Sequence, residues 1–302
     1  MTAAGRLIRP RDTIARLAGA ALGALCLAMS AGAGAAIVEE LVHVPVTVMH
    51  EGRGEVRHDL PVTVFRDDAR ARAPFVVLGH GRAASATTNA AMGQVRYTAN
   101  SRYLVTLGFT VFVPTRIGYG IAGGPDLEHT GECRAKRYRP GYDAAAQQTR
   151  AVVAYARGRP DIDAAMGLVM GQSFGGTTAI AIAADPLPGV RAAVNFAGGG
   201  GGRPETHPGQ PCAPQELTQL FAAYGATARM PTLWLYAPND RYFGERLPRD
   251  WFEAFLRAGG KGRFVALPAH GEDGHSSFTR NPAAWRPAFE DFLRQSGFRL
   301  AR

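Results

Sequence analysis

Apolar and polar residues alternate along two early segments. Val44, Val46 and Val48 sit between polar or small neighbours, and Leu60, Val62 and Val64 repeat the pattern after a glycine-containing turn. A period of two residues belongs to a half-buried strand, so 39–49 and 54–66 are expected to form an antiparallel hairpin. Beyond it the pattern changes. Short continuous apolar runs at 75–79, 110–113, 167–171, 191–196, 232–237 and 263–267 suit strands buried on both faces. They alternate with segments expected to be helical at 92–107, 143–157, 174–184, 215–224, 248–258 and 282–295. This alternation predicts an α/β domain: a single doubly wound, mostly parallel sheet with helices on both faces.

Two long loops interrupt the alternation. Residues 115–142 are rich in Gly, Arg and Tyr, and 198–214 open with five consecutive glycines, Gly198 to Gly202. Loops of this length are usually functional, and both are expected on the site side of the sheet. Tyr119, Tyr138, Tyr142 and Tyr242 are candidate pocket walls, each equally compatible with ordinary packing.

The first 36 residues do not fit the domain pattern. Arg6, Arg9, Arg11 and Arg16 precede an apolar, alanine-rich stretch from Leu17 to Met29. Small residues follow, and Ala33-Gly34-Ala35 fits an A-x-A cleavage site near Ala35/Ala36. Residues 1–36 are expected to be a signal peptide and 37–302 the folded domain. The alternative, an uncleaved anchor, is disfavoured because the apolar core is short for a span of about 20 residues. The expected location is therefore periplasmic or secreted, with no stable membrane insertion of the mature chain.

Removal of that segment leaves two cysteines, Cys133 and Cys212, of the three in the chain. Two cysteines in an exported protein suggest one disulfide. Here it would tie the two long loops together. The formal net charge is +9, and nearly all the cations are arginines, Lys136 and Lys261 being the only lysines. The arginines are scattered rather than gathered in a basic stripe with interleaved aromatics, which argues against a nucleic-acid partner. The densest cluster, Arg134 to Arg139, reads as a solvated loop or as a rim attracting an anionic substrate or surface.

The chemistry concentrates at strand ends. Gly171-Gln172-Ser173-Phe174-Gly175-Gly176 follows the strand at 167–171 and precedes a helix. G-x-S-x-G in that context exposes the serine hydroxyl above the sheet edge. A serine oxygen is a weak nucleophile until a base takes its proton. Asp240 follows the strand at 232–237, and His275 lies in the loop after the strand at 263–267. His270 competes as base, but it follows its strand too closely to reach sideways. Glu272 and Asp273 compete as acid, but they share the histidine's own loop and are expected to face water. The preferred assignment is Ser173 nucleophile, His275 base and Asp240 acid. Upstream, the strand at 75–79 ends in His80-Gly81-Arg82. The backbone N–H groups of Arg82 and Phe174 are the candidate oxyanion donors. The side chain of His80 is expected to be structural and that of Arg82 solvated.

With these four elements in this order, the chain resembles the dienelactone-hydrolase-like and related secreted esterase branches of the α/β-hydrolase superfamily, over roughly residues 40–297. The resemblance implies a Ser-His-Asp acyl-transfer enzyme with no cofactor and no metal, acting on a small-molecule or polymeric ester. Dienelactone hydrolases often use a cysteine nucleophile. This chain has serine, so their lactone substrate does not carry over. Two other readings stay open: a serine peptidase or acyltransferase on the same fold, and a noncatalytic binding protein on a hydrolase fold.

Overall fold

The computed structural model describes residues 36–301. The expected signal peptide at 1–36 lies outside the described residues but for its last position, and its cleavage site lies at that boundary.

The alternating segments do form a hairpin. β1 (Ile37–His50) and β2 (Gly54–Asp67) pair antiparallel along their whole length, with Val44 opposite Leu60 and Val48 opposite Val56. The buried valines of β1, at 44, 46 and 48, face the main core. β2 in turn pairs antiparallel with β4 (Thr110–Pro114), and every strand after it runs parallel: β3 (Ala73–Gly79), β5 (Ile162–Gln172), β6 (Val190–Phe196), β7 (Thr232–Tyr236) and β8 (Gly262–Ala266). The order across the eight-stranded sheet is β1-β2-β4-β3-β5-β6-β7-β8.

Successive residues of the parallel strands serve two different cores, because side chains alternate between faces. Phe75, Val77, Val169, Trp234 and Tyr236 join one core with α3 (Tyr138–Gly158), α4 (Phe174–Ala184), α5 (Pro214–Thr227) and α6 (Arg246–Arg257). Val76, Leu78, Leu168, Met170, Leu233 and Leu235 join the other with α2 (Thr98–Thr106) and α8 (Pro282–Gln295). These strands read as unbroken apolar runs because both faces are covered.

Two expected helix boundaries are corrected. Only the later part of 92–107 is helical, α2 beginning at Thr98; a separate five-residue helix, α1 (Ala86–Ala90), precedes the segment, and between the two Gly93 and Tyr97 have positive φ, 67° and 44°. α3 starts at Tyr138 rather than 143. Pro140 in its first turn does not interrupt it, since N–H groups there have no intrahelical acceptor. The final short helix before α8 is α7 (Ser277–Arg280).

Candidate active site

β5 ends at Gln172 and α4 begins at Phe174, and Ser173 between them has φ 57° and ψ −121°. A residue with a β-carbon is strained in such a conformation by about 1–3 kcal/mol. The surroundings impose it. The Ser173 N–H donates to the Phe196 carbonyl (2.8 Å), while its own carbonyl accepts from the N–H groups of Gly176 (2.9 Å) and Thr177 (3.2 Å). The start of α4 also packs directly on strand backbone: a β-carbon at Gly175 would lie 2.4 Å from the Gly79 carbonyl oxygen. Ser173 lines a cavity of about 240 Å³ together with Arg82, Lys136, Gly199 to Arg203, Tyr242 and Phe243.

Asp240 lies in the loop between β7 and α6 and is buried. Its Oδ1 accepts the N–H groups of Tyr242 (2.7 Å) and Phe243 (3.0 Å), and its Oδ2 accepts Nδ1–H of His275 (2.8 Å). The carboxylate is thus held in place by three donors. The imidazole stacks on Tyr242 at 4.0 Å and meets Phe243 edge-on at 5.3 Å, so its plane is fixed as well as its tautomer. Gln172, the residue before Ser173, donates from Nε2 to the His275 carbonyl (3.3 Å), and its Oε1 accepts the Tyr97 hydroxyl (3.1 Å). These bonds tie the histidine loop to the serine turn.

Asp273 does not face water as expected. Its Oδ1 accepts the N–H of Arg241 (3.0 Å) and of His275 (2.9 Å), stitching the acid loop to the base loop. Asn239 adds further stitches: it donates to the carbonyls of His270 (3.3 Å) and Gly271 (3.0 Å) and accepts the His270 N–H (3.1 Å). His270 is engaged through its backbone alone, while His275 carries the side-chain bond to the acid.

At the end of β3, the His80 Nδ1–H donates to the Gly81 carbonyl (2.7 Å) and its Nε2 accepts the Arg116 N–H (3.1 Å). Arg116 donates to the His80 carbonyl (2.8 Å) and reaches toward that of Gly81 (3.5 Å). The Gly81–Arg82 peptide is planar and trans, so a carbonyl tied on one side aims the Arg82 N–H to the other. That N–H and the Phe174 N–H have no protein acceptor among the described residues. A β-carbon at Gly81 would lie 3.1 Å from Gln172 Oε1 and 3.2 Å from Ser173 Cβ, so it would press on the nucleophile's turn. Burial, reinforced by the Arg116 charge, holds His80 well below its usual pKa of 6.5, against the pull of the Gly81 carbonyl, so the ring is neutral.

Behind this segment is a buried network that the sequence does not mark. Arg116 makes a two-point ion pair with Glu128, both fully buried, and the Tyr119 hydroxyl donates to the same carboxylate. Arg82 is not solvated as expected. Its guanidinium pairs at two points with Asp126 (2.7 and 2.6 Å) and donates to Tyr119 (3.1 Å). The pair partners lie 12 and 44 residues apart in the chain, with no spacing signal to join them. Of the four tyrosines considered as pocket walls, Tyr242 lines the cavity, while Tyr119, Tyr138 and Tyr142 are buried behind it.

The sheet order, one antiparallel hairpin leading into six parallel strands with helices on both faces, matches known structures. The chain has the α/β-hydrolase fold. It superposes on a dienelactone hydrolase-like promiscuous phosphotriesterase from metagenomic libraries with a TM-score of 0.55 and 14% identity, covering 88% of this chain and 100% of that one. A Paenibacillus acetyl xylan esterase gives 0.57 and 14%, with 86% and 89% coverage. An acylaminoacyl peptidase from Pyrococcus horikoshii gives 0.59 and 13%, with 87% of this chain but 42% of the peptidase. The chain therefore spans about two fifths of that protein's length. No family model and no curated protein matches the sequence.

Cys133 and Cys212 form a disulfide, with Cα atoms 5.1 Å apart, that ties the loop after β4 to the loop after β6. Both cysteines border the cavity. Among the described residues, no cluster of three or more His, Cys, Asp or Glu could hold a metal, and no helix is long and apolar enough to cross a membrane.

Proposed function

We propose that the protein is an exported serine hydrolase that cleaves carboxylic esters through Ser173, His275 and Asp240. The observation that carries this reading is the Asp240–His275 hydrogen bond of 2.8 Å on loops tied to the turn that strains Ser173. Ser173 Oγ attacks the acyl carbon while His275 Nε2 takes its proton. The Asp240 carboxylate keeps the other ring nitrogen protonated and stabilises the imidazolium that forms. The N–H groups of Arg82 and Phe174 receive the developing oxyanion, each such donor contributing about 3–4 kcal/mol in comparable sites. His275 then protonates the leaving alcohol, and water releases the acyl group by the same steps in reverse.

Export is supported by the basic–apolar–small pattern of the first 36 residues and by the disulfide, which needs an oxidising compartment. The esterase and dienelactone hydrolase-like proteins that share the fold over nearly their full length favour an ester substrate over a peptide. The test is labelling with a fluorophosphonate probe beside hydrolysis of 4-nitrophenyl esters. Ser173→Ala is expected to lose labelling and to lower kcat by about 10⁶-fold, as in a serine protease. A variant that keeps more than a tenth of the activity removes Ser173 from the role.

A further inference from the structure

Gly199 to Gly202 of the glycine run form one wall of the Ser173 cavity, and β-carbons there would crowd their neighbours. A β-carbon at Gly199 would lie 2.6 Å from the Phe243 ring, at Gly200 2.8 Å from Tyr138, and at Gly202 2.6 Å from Tyr242. The wall that residues 199–202 offer the cavity is therefore backbone alone.

That backbone has a direction. The Gly198 carbonyl accepts the Tyr236 hydroxyl (2.7 Å) and the Gly201 carbonyl accepts the Cys212 N–H (2.9 Å). The Tyr138 hydroxyl donates its one proton to the Cys212 carbonyl and lies 3.3 Å from that of Gly200. With the Gly198 and Gly201 carbonyls tied into the protein, planar trans peptides turn the N–H groups of Gly199 and Gly202 the opposite way, and both residues line the cavity. None of the N–H groups from Gly199 to Gly202 has a protein acceptor among the described residues. Gly199 is buried and Gly200 to Gly202 are half-buried, and a backbone donor shielded from bulk water requires a partner.

Charge around the cavity points to the same kind of guest. Arg82, Lys136 and Arg203 line it, against one carboxylate, Glu132. Arg82 is already paired with Asp126, but neither Lys136 nor Arg203 has a carboxylate within 4.0 Å among the described residues. The Lys136 ammonium spends two of its three protons on Thr130 and the Gly131 carbonyl. Arg203 Nε is buried without a partner. The disulfide joins the loop carrying Lys136 to the loop carrying the glycine run, so donors and cations share one rigid frame.

We infer that this wall is a subsite for an anionic oxygen group, such as a carboxylate, carried by the ester that Ser173 cleaves. Consecutive N–H groups form concavities that take anions, and charged donors set the preference for an ionised over a neutral acceptor. The inference rests on the serine-hydrolase reading and assigns its substrate class.

The test compares isosteric ester pairs with the mature oxidised protein: mono-4-nitrophenyl glutarate against 4-nitrophenyl pentanoate, and 4-acetoxybenzoate against phenyl acetate. The pairs place the carboxylate on the acyl or on the alcohol side. The anionic member of at least one pair is expected to be favoured by about tenfold or more in kcat/KM, mostly through KM. Lys136→Gln and Arg203→Gln should each lower that ratio by about tenfold, the equivalent of one charge-assisted contact. Added salt should shrink the ratio in the wild type. If Ser173 is labelled by the probe but neutral esters match or exceed both anionic ones, the subsite is rejected and the hydrolase stands. If neither labelling nor turnover occurs, the hydrolase reading fails. Calorimetric titration with monomethyl glutarate then decides the subsite: binding weakened by Lys136→Gln supports it, and no binding rejects it.

Discussion

Replacing Asp240 by asparagine separates the orientation of His275 from the folding of its loop. Oδ1 of Asp240 accepts two backbone N–H groups at 2.7 and 3.0 Å, and an amide oxygen can keep both. The change falls on Oδ2, where the carboxylate accepts His275 Nδ1–H at 2.8 Å. An amide NH₂ there is a donor, so the ring must present Nδ1 as acceptor and carry its proton on Nε2. That tautomer cannot take the serine proton. The corresponding loss in a serine protease is about 10⁴-fold, which corresponds to about 5.5 kcal/mol in barrier height. Asp240→Ala should be as inactive but also less stable. It leaves the buried Phe243 N–H without an acceptor, at a cost of about 1–3 kcal/mol, and the half-buried Tyr242 N–H without its own. Steady-state kcat on 4-nitrophenyl acetate and thermal denaturation of both variants measure the two effects. The expected pattern is an inactive Asn variant with wild-type stability beside an inactive, destabilised Ala variant. An Asn variant with more than a tenth of wild-type kcat would refute the assignment of Asp240 as the orienting acid.

His80 is held neutral by burial and the Arg116 charge, so the folded chain binds fewer protons there than the unfolded one. Stability should fall as pH drops below about 6.5, and the melting temperature of His80→Gln should lose that part of the slope; an unchanged slope assigns it to another group. Glu128→Gln leaves the buried Arg116 guanidinium without its counter-charge, and breaking such a pair costs about 3–5 kcal/mol. Because Arg116 also holds the His80 and Gly81 carbonyls, kcat should fall more than KM rises in any folded fraction, and an unaltered kcat would cut the network off from the oxyanion donors. The Cys133–Cys212 bridge spans 79 residues, and its replacement by two serines should cost on the order of 4 kcal/mol from the freed unfolded chain. Equal denaturation midpoints for the bridged and serine proteins would contradict this.

The strands were legible because their residues answer to both cores at once: in β3, Phe75 and Val77 face one and Val76 and Leu78 the other, leaving an unbroken apolar run. The Ser173 turn was legible for a similar reason, since close packing of α4 on β3 and β5 writes glycines into the chain at 171 and 175. The roles of Arg82, Arg116 and Asp273 were not. Each is a charged residue whose burial depends on a partner brought in by tertiary structure, as when Arg82 meets Asp126. Asp273 could have been suspected as a residue two before His275, but only the folded loop turns its carboxylate onto the N–H of Arg241. The start of α3 is hidden in the sequence because Pro140 and Gly141 suggest a loop, although a first helical turn tolerates both.

A pocket wall built from bare backbone also shapes how such a protein can diversify. Most enzymes change substrates by exchanging side chains around the reacting group, but at positions 199–202 any side chain would strike an aromatic ring or the chain behind it. This wall would pass unaltered between descendants, with its donors fixed by geometry rather than by residue identity. New specificities would have to arise on the other loop that borders the cavity, at Glu132 and Lys136, where single substitutions change charge and reach. A directed-evolution library has the same asymmetry: randomising the glycines would return unfolded protein, and randomising the other loop would return enzymes with altered taste.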